Sequence, residues 1–255
     1  MARPLQLLTI PLSHYCEKAR WALDRAGVAY RERGHLQVFH YLWSFALART
    51  AYVPVLLTPE GPVADSTRIL AHVDTLTAPP RRLYPAEPLL RGEVEALEEE
   101  LDTGLGVESR RWLYGLAFAH YSRRQAVALA GQGTPIVERA LMHLFYPLAR
   151  FYLRRRLDVT DRTVATAADR VRAIFDRVAA RLADGRRYLV GDRFTAADLT
   201  FAALSAPLLL PPRYGVRLPT PDELPAPMRA PVLAFRATPA GQFALRLFAE
   251  ERSPA

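Results

Sequence analysis

The stretch LQLLTIPLSHYCEKARWALDRAGVAYRER, residues 5–33, switches hydrophobic period twice. Residues 5–10 are a short apolar run of strand length. In residues 14–26 the apolar positions Ala19, Ala22, Leu23 and Ala26 recur at helical spacing, and Gly27 follows where a left-handed helix cap belongs. Residues 28–33 read as a second strand. A strand, a helix and a strand in succession require a crossover, and therefore a parallel pair with the helix against the sheet.

Working outward, residues 37–49, rich in Leu, Phe and Trp, predict a second helix, and residues 53–58 a third strand. Pro59-Glu60-Gly61 turns the chain into a short returning strand at 62–64. Residues 66–76 predict a helix with Ile69, Leu70 and Val73 on one face. The order β-α-β-α-β-β-α is that of an α/β domain whose closing hairpin adds an antiparallel edge. Pro79, Pro80, Pro85 and Pro88 then interrupt helix formation. Beyond them, residues 87–108, 111–130, 137–157, 163–183 and 196–204 carry helical spacing, and no convincing strand follows. The expected organisation is an α/β domain at 1–78, a linker at 79–88 and an all-α domain at 89–255. From Pro207 the proline density predicts an extended surface tail, with a last short helix near 241–250.

Half of the 255 residues are apolar and 24% are charged, enough for a packed core. Cys16 is the single cysteine, so neither an intramolecular disulfide nor a multi-cysteine zinc site is available. The six histidines form no HExxH arrangement, and no metal site is expected. The run at 5–10 is too short for a secretory leader or a membrane span. A cytoplasmic protein is therefore expected. The net charge of +8 raises nucleic acid as a partner, but the 33 arginines are spread along the chain among acids rather than clustered, which argues against it. Lys18 is the only lysine. Residues 140–157 read as a basic amphipathic helix, with Leu141, Leu144, Leu148 and Tyr152 expected against the bundle and Arg150 and Arg154 to Arg156 in water.

Four features carry chemistry or its scaffold: Ser13-His14-Tyr15-Cys16-Glu17-Lys18-Ala19-Arg20 between the first strand and helix, Val53-Pro54-Val55-Leu56 beginning the third strand, Asp65-Ser66-Thr67 opening the third helix, and, within residues 191–199 of the helical half, Thr195-Ala196-Ala197-Asp198. The last is a capping box, with Phe194 and Leu199 as its hydrophobic staple. In order and spacing, over residues 5–204, the four resemble the cytosolic glutathione S-transferase family, Ser-type. The resemblance implies a thioredoxin-like domain that binds glutathione, an all-α domain, and a homodimer.

Each position has a physical rationale beside the resemblance. Ser13, at a helix N-terminus, can donate to a sulfur where unpaired amides and a positive partial charge already favour an anion. It can equally be a plain helix cap. Tyr15 and Cys16 are secondary candidates. Cys16 stands in a C-x-x-C-like turn whose first position is Ser13, so dithiol chemistry is excluded and only a monothiol route remains. The resemblance implies a cis Val53-Pro54 bond, with the Val53 backbone pairing the cysteinyl part of glutathione. It also implies that Asp65 and Ser66 hold the γ-glutamyl end. His40 or Arg49 would take the glycyl carboxylate. Trp43, Trp112 and Tyr114 are candidates for a second-substrate pocket.

The activity so implied is transfer of the glutathione thiolate to a small hydrophobic electrophile. The alternatives are a transferase-fold binding or regulatory protein without turnover, and a glutathione-dependent oxidoreductase or lyase working through Cys16.

Overall fold

The computed structural model describes residues 5–252, so the outer ends of the expected 1–78 and 89–255 spans lie outside the described residues. Strand β1 (Leu5–Thr9) is followed by helix α1 (His14–Ala26), β2 (Tyr30–Gly34), α2 (His40–Ala48), β3 (Val55–Thr58), β4 (Gly61–Ala64) and α3 (Ser66–Leu76). The sheet order is β2-β1-β3-β4. β1 runs parallel to β2, with Leu7 opposite Glu32, and antiparallel to β3, with Leu7 opposite Leu56. β3 and β4 form the antiparallel hairpin. This is a thioredoxin-like arrangement, as expected, followed by an all-helical region.

Local chemistry explains the boundaries of α1. Ser13 caps it, and Gly27 ends it at φ 67°, its amide returning to Asp24 and Leu23. Ala19, Trp21, Ala22 and Leu23 are buried, so the helix is covered on more than the side the sheet occupies. β2 starts two residues later than expected. α2 begins at His40, because residues 37–39 are turn. β3 begins at Val55, after the cis peptide between Val53 and Pro54.

The helical half contains α4 (Pro88–Thr103), α5 (Leu105–His120), α6 (Arg123–Ala130), α7 (Ile136–Arg156), α8 (Asp161–Arg181), α9 (Ala196–Leu209), α10 (Ala226–Ala237) and α11 (Pro239–Glu250). Two expected helices are each divided. The run at 87–108 breaks at Gly104, and that at 111–130 breaks where Ser122 caps α6 with a capping box to Gln125. α9 is the pillar of this half. All fourteen of its residues are buried.

The expected extended tail is a correction. α9 runs through Pro207 to Leu209, and the proline-rich segment after it folds into α10 and α11. Prolines 225, 227 and 239 lie at or just before helix first turns, where the missing N–H has no partner to lose. Met228, Val232, Phe235, Phe243, Leu247 and Phe248 then complete the core around α9. A second correction concerns α7. Leu144 and Leu148 are 68% and 65% exposed, whereas Arg150 turns inward and donates from Nη2 to the Phe118 carbonyl at 2.8 Å.

The two halves are joined by charge as well as by apolar contact. The ammonium of Lys18, fully buried on α1, lies 2.6 Å from Asp102 Oδ2 and 2.7 Å from Glu98 Oε1 on α4. It also donates to Thr67 Oγ1 on α3 at 2.9 Å, and Tyr84 donates to Glu98 at 2.7 Å. On the far side of α1, Glu17 accepts from Arg252 and Arg20, and Arg20 reaches Glu32 on β2. Among the described residues no helix is long and apolar enough to cross a membrane.

Candidate active site

A cavity of about 400 Å³ opens between the N-terminus of α1, the start of α2 and helices α5 to α7. That volume suits a small organic molecule. Ser13 stands at its edge in extended backbone (φ −71°, ψ 123°), its Oγ accepting from the Cys16 amide at 3.4 Å. The capping role is therefore real. The His14 and Tyr15 amides beside it are first-turn donors with no partner inside the helix.

The neighbours of Ser13 are fixed from the helical side. His14 Nε2 meets the Gly106 carbonyl at 2.9 Å, and the Tyr15 hydroxyl donates to the Asp102 carbonyl at 2.7 Å. Gly106 permits this approach, since a Cβ there would stand 2.2 Å from the Tyr15 oxygen. Burial, helped by the Arg110 charge, holds the His14 imidazole down at about 3. Burial drives the Tyr15 phenol well above its ordinary range, against the pull of Arg110. Tyr15 is thus a protonated strut whose hydrogen points at a carbonyl. Cys16 is fully buried, and burial pushes its thiol up to about 11. A protonated thiol with no solvent access is a poor nucleophile.

His40 also lines the cavity. It is 6% exposed, and its Nδ1 is buried without a hydrogen-bond partner. Burial lowers its imidazole to about 4, so at neutral pH it is an uncharged ring with an unused polar atom. Val53 and Tyr114 line the same space, and Tyr114 accepts from Gln37 Nε2 at 2.9 Å.

The structure thus brings Ser13, Tyr15, His40, Val53 and Tyr114 to one cavity. Asp65 and Ser66 lie beside it but outside its lining. The Asp65 amide donates to the Pro54 carbonyl at 3.3 Å, which places the α3 N-terminus against the Val53-Pro54 turn. The Asp65 carboxylate caps α3 through the Thr67 and Arg68 amides. Arg49 does not reach the cavity. It ends α2 in left-handed backbone (φ 50°) and is exposed. Trp43 instead stacks on His35, at 5.1 Å between ring centroids, and Trp112 sits in the core edge-on to Phe235. Sequence reasoning missed Arg110, Gln37 and Gly106. Arg110 carries no signal among 33 arginines, and only the α1–α5 contact gives Gly106 its meaning.

In the helical half, Asp198 accepts from the Thr195 amide at 2.9 Å, from the Thr195 hydroxyl at 2.9 Å and from the Leu189 amide at 2.8 Å. Burial still raises its carboxyl to about 6. Phe194 and Leu199 are both buried in the core, where a staple belongs.

A thioredoxin-like unit whose first helix opens on a cavity walled by a helical bundle defines a two-part class of fold. Residues 7–81 match the family profile "Glutathione S-transferase, N-terminal domain", and residues 154–204 match "Glutathione S-transferase, C-terminal domain". The chain belongs to the glutathione S-transferase family, which uses glutathione as a substrate. No curated protein sequence matches it. Solved structures share the whole fold. A glutathione S-transferase from Rhodospirillum rubrum F11 is 18% identical with a TM-score of 0.59, covering 97% of this chain and 99% of its own. One from Sinorhizobium meliloti 1021 is 17% identical with a TM-score of 0.61, covering 98% and 100%. A beta-etherase from Sphingobium sp. strain SYK-6 is 19% identical with a TM-score of 0.57, covering 96% and 99%. At these identities the likeness is one of fold. Among the described residues no group of three or more His, Cys, Asp or Glu is placed to hold a metal ion.

Proposed function

We propose that the protein is a glutathione transferase in which Ser13 stabilises the glutathione thiolate for attack on a hydrophobic electrophile. The observation that carries this reading is the position of Ser13, a helix-capping hydroxyl at the edge of a cavity with first-turn amides beside it. A thiol of pKa near 8.5 is only a few per cent ionised at neutral pH. One hydrogen bond to the charged sulfur, about 1.5–3 kcal/mol, lowers that value by about one to two units. The thiol proton passes to solvent, the thiolate attacks an electrophilic carbon, a carbon–sulfur bond forms, and the leaving group departs with its electron pair.

The tripeptide is assigned along the β-sheet side. The Val53 backbone pairs with the cysteinyl unit, the α3 N-terminus at Asp65 and Ser66 takes the γ-glutamyl end, and His40 offers its ring nitrogen to the glycyl carboxylate. The sealed, protonated thiol of Cys16 argues against the oxidoreductase or lyase route. The same reading takes the protein to be a cytoplasmic homodimer, with residues 79–88 linking the two domains; light scattering tests the stoichiometry.

The deciding experiment is a pH titration of bound glutathione, following thiolate absorbance in the ultraviolet. The expected result is a thiol pKa below that of the free tripeptide, raised by about one unit or more in Ser13→Ala with binding retained. A bound thiol that titrates like the free one, or a Ser13→Ala protein with unchanged thiolate and turnover, removes Ser13 from the chemistry.

A further inference from the structure

We infer that the electrophile this cavity accepts carries an anionic group on an aromatic frame. The inference deepens the proposed transferase reading and rests on it for the word electrophile, but the binding preference stands on the cavity alone.

Arginines 110, 150 and 156 line the cavity, and no Asp or Glu does. The next arginine along α5 is neutralised by an acid. On α5, Glu108 holds Arg111 at 2.5 Å and Arg170 at 2.7 Å. Arg110, one residue from Arg111, pairs with no carboxylate among the described residues. Its guanidinium lies 5.8 Å from the Tyr15 ring centroid. Its charge is felt in the cavity, where it lowers His14 and opposes the rise of Tyr15 and Tyr114.

The other two arginines differ in role. Arg150 is tied to the Phe118 carbonyl and stands 5.8 Å from that ring, leaving its charge without an acidic partner. Arg156 is exposed at the rim and donates to the Tyr52 hydroxyl at 3.3 Å. The result is a wall of Tyr and Phe rings carrying unneutralised guanidinium charge.

A half-buried cation without a counter-charge loses hydration, and the face of an aromatic ring returns only part of it. A ligand carboxylate or sulfonate supplies what is missing, with the planar fork of Arg110 suited to two-point binding. The flat aromatic lining favours a planar ring over an aliphatic chain. The glutathione carboxylates are assigned to the sheet side, whereas Arg110 sits on the opposite, helical wall.

The test uses two fluorescent probes of nearly the same shape, without glutathione: 8-anilinonaphthalene-1-sulfonate, an anion, and N-phenyl-1-naphthylamine, its neutral counterpart. Arg110→Gln should weaken the sulfonate by about tenfold or more and leave the neutral probe within about twofold. Arg110→Lys should retain most of the sulfonate affinity, which separates lost charge from a damaged cavity. Raising the salt concentration should weaken only the anion. Equal weakening of both probes by Arg110→Gln, or of neither, overturns the inference. Because no thiol is present, failure here is distinct from failure of the Ser13 titration.

Discussion

Lowering the pH from 7 to 5 should cost the fold about 2–3 kcal/mol, and the structure names the groups responsible. His14 and His40 have folded values of about 3 and about 4, below the ordinary 6.5 of an exposed imidazole. At every pH between, the unfolded chain binds more protons than the folded one, so stability rises with pH across that window and falls on acidification. At pH 5 each histidine withdraws about 2 kcal/mol. Asp198 works in the opposite direction. Its folded carboxyl, at about 6 against the ordinary 3.8, takes up a proton before the unfolded one does. That returns about 1 kcal/mol at pH 5, so the two imidazoles win.

Urea unfolding followed by tryptophan fluorescence measures this directly, since Trp21 and Trp112 are buried. His14→Gln keeps an amide able to face Gly106 and should cut the pH 7 to pH 5 loss to under about 1 kcal/mol. Asp198→Asn should steepen it. Equal wild-type stability at the two pH values, or a His14→Gln protein with the full wild-type loss, refutes the assignment.

Three further outcomes follow from packing. Gly106→Ala drives a methyl into the Tyr15 hydroxyl and should destabilise by about 1–3 kcal/mol, read as a lower melting temperature. Lys18→Met leaves Glu98 and Asp102 without their cation in the α1–α4 contact, and denaturant unfolding should show a loss of about 3–5 kcal/mol. Asp198→Ala strips the Leu189 and Thr195 amides of their acceptor, and the same assay should show a loss of about 2–4 kcal/mol.

The α/β half was legible in the sequence because its signals are local. Ser13, Gly27 and Asp65 mark helix ends by their own backbone and hydrogen-bonding preferences, and the observed caps use them. The Thr195 to Asp198 box is equally local. The segment after Pro207 failed because proline density reads as disruption unless each proline's place in a helix is known. Three of them fall at helix starts, where proline is tolerated, and the apolar residues between complete a core that only the assembled bundle presents. The site was partly legible for the same reason. Ser13 and Val53 lie within short motifs, whereas Arg110, Gln37 and the inward turn of Arg150 arise from long-range packing. Arg49 closes α2, as the reading of residues 37–49 has it, but in a left-handed turn that leaves it exposed and that no local motif signals.

Having a single lysine, and burying it, gives this protein a built-in reporter. Amine-directed reagents meet no exposed lysine side chain in the native state, because the one at position 18 is sealed beneath α4. Acylation at that position therefore clocks the separation of the two halves. Its rate, compared with global unfolding, reads out whether the sheet unit and the bundle part company before either melts.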